Sequence, residues 1–149
     1  MKRILTSLFL VFLLVSTYSN TRRYRLCVNG DPATTMTIAW EQNGGSGTMV
    51  HYGTTDFGVS HLSYPNTHGI DKQVTAKGMS NCFARLTGLT PDTEYYFVIN
   101  DSDGPSQRYW FKTLPLNDNQ PISLLAGGDS RVFTDNSARL NANSMVAKL

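Results

Sequence analysis

The chain has 149 residues, 40% of them apolar, and a net charge of +2, which is room for one domain with some chain left over. Its 13 basic residues are scattered among 11 acidic ones, which excludes both a disordered charged tail and a nucleic-acid surface built on bulk charge. Arg22, Arg23 and Arg25 do cluster, but so short a run reads as a solvated strand face.

The first residues predict a secretory signal peptide over 1–19. Lys2 and Arg3 form a basic start, and Ile4 to Val15 is apolar apart from Thr6 and Ser7. Thr17 and Ser19 stand at the two small-residue positions of a cleavage site. A membrane anchor needs about 20 apolar residues, more than this run supplies. The expectation is therefore export, to the outside or the periplasm, with no membrane attachment after cleavage.

Beyond it the chain reads as short strands separated by turns. Tyr24 to Val28 alternates loosely, and Asn29-Gly30-Asp31-Pro32 is a turn. Thr35 to Trp40 alternates cleanly and places Met36, Ile38 and Trp40 on one face. Asn43-Gly44-Gly45-Ser46-Gly47 turns the chain into a strand over Thr48 to Gly53, after which Thr54 to Gly69 looks irregular. Lys72 to Thr75 and Asn81 to Leu86 are further strands, the second with Cys82, Ala84 and Leu86 on one face.

Cys27 and Cys82 are the two cysteines, in a chain expected in a disulfide-permissive compartment. A bridge would close a long loop, worth about 4 kcal/mol on a chain-entropy estimate. Their strands need not be neighbours, so the pairing is left open. His51, His61 and His68 follow neither a zinc-finger spacing nor the i, i+4 spacing of a helical zinc pair, and read as isolated surface or turn residues.

The most informative stretch is Leu86-Thr-Gly-Leu-Thr-Pro-Asp-Thr-Glu-Tyr-Tyr-Phe-Val98. Pro91 fixes φ, Asp92 and Thr93 can bond their own backbone, and Tyr95 stands where the next strand begins. A tyrosine there buries its ring and returns its hydroxyl to upstream backbone, the tyrosine corner of immunoglobulin-like sandwiches. Tyr95 to Asn100 follows as a strong strand, Asp101 to Pro105 as a turn, and Arg108 to Thr113 as the last strand. About seven short strands with turn signals between them predict an all-β chain. The Leu89, Pro91, Thr93, Tyr95 spacing resembles the E–F corner of a fibronectin type III domain, which implies a type III-like sandwich over 22–115.

Residues 116–121 are a linker by composition. Ile122 to Ala126 is then a continuous apolar run, as in a parallel strand covered on both faces, with Gly127, Gly128 and Asp129 at its carboxyl end. Ala138, Ala142, Met145, Val146 and Leu149 make one apolar helical stripe. One strand and one helix cannot bury their own apolar faces, so 122–149 reads as the first βα unit of a truncated α/β domain. A carboxylate at such a strand end, on rigid backbone, suits a hard cation.

Taken together, the signal peptide, the sandwich with Tyr52-Gly53 after its third strand, the Leu89-Thr-Pro-Asp-Thr-Glu-Tyr-Tyr96 corner and Ile122-Ser-Leu-Leu-Ala-Gly-Gly-Asp-Ser-Arg131 resemble the N-terminal region of purple acid phosphatases. The sandwich is similar to their N-terminal domain, and the last stretch to the first motif of their calcineurin-like metallophosphoesterase domain. The resemblance implies hydrolysis of phosphate esters by two metal ions, iron paired with iron, zinc or manganese. By position it makes Asp129 a metal ligand. Relatives carry His or Gly where this chain has Arg131; Arg131 could instead meet the substrate phosphate. The later motifs do not occur within the 149 residues, so the chain as written is expected to be inactive.

Gly128-Asp129-Ser130 also resembles the first block of GDSL-type esterases, with Ser130 as nucleophile, although Arg131 replaces their usual leucine. A non-catalytic secreted sandwich module is the third reading. Reading the coding DNA past Leu149 would separate the three.

Overall fold

The computed structural model describes residues 18–116, and every structural statement below concerns those residues. The strands are β1 (Thr21–Cys27), β2 (Met36–Gln42), β3 (Met49–Gly53), β4 (Asn66–His68), β5 (Lys72–Ala76), β6 (Met79–Leu86), β7 (Glu94–Asp101), β8 (Gly104–Pro105) and β9 (Tyr109–Lys112). One sheet has the order β1-β2-β6-β5; the other runs β4-β3-β7-β8, with β9 also on β7. All pairings are antiparallel. The first sheet thus gathers strands one, two, six and five, the A, B, E, D grouping of an immunoglobulin-like sandwich.

Alternation builds the core. Met36, Ile38 and Trp40 on β2 face Cys82, Ala84 and Leu86 on β6, and the second sheet adds Val50, Tyr95, Phe97, Ile99 and Phe111. Trp40 and Leu86 are completely buried, as the strand patterns required. Replacing a buried tryptophan such as Trp40 by alanine costs about 3–5 kcal/mol through lost burial and the cavity left behind. Its indole N–H is not wasted: it donates to Gln42 Oε1 at 2.9 Å, and Thr48 donates to the same oxygen at 3.0 Å.

Gln42 in turn donates to Asp101 Oδ2 at 3.0 Å, joining the two sheets at that end of the sandwich. Gly45 passes close by with φ +72°, and a Cβ there would lie 2.8 Å from the Asp101 carboxylate. Only glycine meets both conditions without strain.

Besides shifts of one to three residues at strand ends, the strands differ from the sequence expectation in two respects. Nine strands form rather than about seven, because β4 and β8 are too short to show a period of two. The segment expected to be irregular, 54–69, holds β4 and a 3-10 turn at His61–Ser63 that packs on β3 and β7. Its anchor is Tyr64, 4% exposed, whose hydroxyl accepts the Phe57 N–H at 3.3 Å and donates to the Gly58 carbonyl at 2.9 Å.

The cysteines are free. Cys27 lies opposite Thr37 on the outer face, whereas Cys82 lies opposite Trp40 in the core. With β2 between them their strands are two spacings apart, about 10 Å, beyond disulfide reach.

Candidate functional site

The residues expected to carry chemistry, Asp129, Ser130 and Arg131, lie outside the described residues, as do the expected signal peptide up to residue 17, all but the first residue of the expected linker and the expected βα unit. Among the described residues no helix is long and apolar enough to cross a membrane.

The histidines are less isolated than their spacing implied. His51, on β3, is 9% exposed, and its ring meets that of His61 edge-on with centroids 5.0 Å apart. Burial, then the neighbouring His61, holds the His51 imidazole below its ordinary value of 6.5 and so favours its neutral form. His68 Nε2 is 2.8 Å from Asp71 Oδ2. These are two pairs, and no third ligand joins either: the described residues contain no group of three or more His, Cys, Asp or Glu side chains able to hold a cation. They do not fit a two-metal centre, which needs several converging ligands.

The arginine run has a definite architecture. The β1–β2 register slips between Arg22 and Arg25, and Arg23 takes φ 55°. A bulge of this kind re-aims side chains. Arg22, Arg23 and Arg25 all reach partners on the outer face of the first sheet. Arg22 is bidentate to Glu41 at 2.9 and 3.0 Å, and Arg23 meets the same carboxylate at 3.0 Å. The hydrogen bond from Arg22 holds the Glu41 carboxyl below its ordinary value, against the opposing effect of burial. Arg25 donates to Asn81 Oδ1 at 2.8 Å.

Next to this cluster, on the same face, β2, β6 and β5 form a shallow groove of about 430 Å³. Phe83 and Val74 make its apolar floor, with Lys72, Arg85, Thr37 and Asn81 around it. Register places Lys72 opposite Phe83, Val74 opposite Asn81, and Thr37 opposite Arg85. Asp71 also borders the groove, but its Oδ2 is engaged by the Arg85 backbone N–H at 2.6 Å and by His68. The backbone bond, ahead of His68, lowers the Asp71 carboxyl below its ordinary range. Gly30 leaves space for the Arg85 guanidinium, since a Cβ there would lie 2.8 Å from Nη2.

Sequence reading did not find this groove. The alternation Lys72-x-Val74 and Asn81-x-Phe83-x-Arg85 was visible, but nothing local showed that the two runs pair side by side.

No curated protein matches the chain. A family model does: the one described as Purple acid Phosphatase, N-terminal domain matches residues 21–113, which is nearly the whole sandwich.

Proposed function

The chain belongs to the purple acid phosphatase N-terminal domain family, and from that premise we propose that it is the N-terminal portion of an exported, metal-dependent phosphatase acting on phosphate esters. The observation that carries this reading is the family match across 21–113, followed in the same chain by a stretch ending in Asp129-Ser130-Arg131 that resembles a first metallophosphoesterase motif. A pair of metal ions, iron with iron, zinc or manganese, would supply the chemistry by acidifying a bound water and neutralising phosphate charge. In this reading Asp129 is the one residue of the chain that serves that centre, and Arg131 contacts the phosphate through its planar fork. The sandwich itself is a scaffold whose described residues take no part in bond breaking. Export follows from the signal-peptide pattern at the start of the chain.

The test uses a protein in which residues 1–149 continue into the remaining metallophosphoesterase motifs. Asp129→Asn should abolish hydrolysis of 4-nitrophenyl phosphate and leave the unfolding midpoint of the sandwich unchanged. Full activity in that variant would overturn the assignment. Chelator-insensitive hydrolysis of 4-nitrophenyl acetate that is lost in Ser130→Ala would instead establish the esterase reading.

A further inference from the structure

We propose that the groove over Phe83 is a binding site for a small anion carried on a flat aromatic body, with Arg85 and Lys72 receiving the charge. The proposal is independent of the phosphatase reading, because all its residues lie in the sandwich.

Four observations carry it. The first is the distribution of charge partners. Among the described residues Arg22 and Arg23 are paired with Glu41, Arg108 with Asp56 and Lys112 with Asp92. Arg85 and Lys72, like Arg25 and Lys77, form no ion pair there, and the first two border one groove. An anion in that groove is attracted by both cations.

The second is geometry. Lys72 is directly opposite Phe83, and Arg85 is two residues along β6 on the same face. Diagonal neighbours of this kind stand about 7–8 Å apart, within reach of two long side chains; the Arg85 guanidinium itself lies beside Gly30. The third is the floor. Phe83 and Val74 are apolar, and Val74, on the edge strand β5, is 38% exposed. A bare inorganic anion gains nothing from such a floor, whereas an aromatic body covers it and removes apolar area from water.

The fourth is room. A volume of about 430 Å³ is within the usual range for small-ligand sites. Gly30 keeps the backbone turn clear of the guanidinium. The nearby carboxylate, Asp71, accepts from the Arg85 backbone N–H and lies 2.8 Å from His68 Nε2; it forms no ion pair with the Arg85 guanidinium, although its charge offsets part of that of Arg85.

The experiment is an NMR titration of the chain with naphthalene-2-sulfonate, an aromatic anion that no phosphatase can hydrolyse. Amide signals of Val74, Asn81, Phe83 and Arg85 should shift saturably, and added salt should weaken the binding. Arg85→Gln and Lys72→Gln, both exposed positions, should each weaken it about fivefold, the upper end for an exposed ion pair. The double variant should weaken it by more than about tenfold. Equal binding of neutral 2-naphthalenemethanol, equal binding of inorganic sulfate, or unchanged affinity in the double variant would each overturn the proposal.

Discussion

The Thr90 backbone N–H donates to the Tyr95 hydroxyl at 2.9 Å, five residues upstream across the proline turn. The Tyr95 ring is 6% exposed and stacks on Phe111 with centroids 5.5 Å apart. One side chain therefore fills the core and satisfies the turn that precedes its own strand. Tyr95→Phe should lower stability by about 1 kcal/mol, because a partly buried N–H loses its acceptor. Tyr96 points to the other face, bonded to Glu94 and lying under Arg108, and Tyr96→Phe should unfold together with wild type. Equal denaturant midpoints for wild type and Tyr95→Phe would contradict the corner.

The sandwich should weaken as pH falls. Glu41 is held below 4.5 chiefly by Arg22, Asp31 below 3.8 by the Ala33 N–H, and Asp71 below 3.8 by the Arg85 N–H. A carboxyl depressed by folding binds fewer protons folded than unfolded. Its contribution is complete above the unfolded value and is lost as pH falls through the folded one. His51, depressed below 6.5 by burial, acts in the same direction at higher pH. The melting temperature should therefore begin to drop just below pH 6.5 and fall more steeply below 4.5. Glu41→Gln should reduce the acid-dependent part of that fall, and an unchanged pH profile in this variant would show that the Glu41 cluster is not its source.

Cys27 and Cys82 should report separately on surface and core. Cys27 is partly exposed and Cys82 fully buried, with burial raising the Cys82 thiol above its ordinary value. One thiol should react with Ellman's reagent in the native protein and the second only on unfolding. Reductant should leave the melting temperature unchanged. Resistance of both thiols to the reagent in denaturant without reductant would show a bridge instead.

Much of the sandwich was legible because its signals are local. Alternation at Met36, Ile38 and Trp40 set the inner face of β2, and the Pro91 turn with Tyr95 fixed the corner. Features that depend on pairing between distant segments were not. The bulge that brings Arg22, Arg23 and Arg25 onto one face depends on the β1–β2 register. The contact of His51 with His61 depends on how 54–65 folds back over the second sheet. The groove joins β6 to β5, and no spacing rule within either strand shows it. The burial of Thr37, Ala39 and Glu41 on the outer side of β2 was equally hidden, since it comes from side chains of other segments, among them Asn29 bonded to Thr37 and the arginines on Glu41.

The most direct test of the central claim is to assay this 149-residue chain for hydrolysis of 4-nitrophenyl phosphate, with iron, zinc or manganese supplied. The sandwich should be folded and turnover absent, because among the described residues no group of side chains can hold a metal, and on the proposed reading Asp129 would be one ligand of the several a two-metal centre requires. Metal-dependent turnover by the purified chain, removed by chelation, would contradict the account.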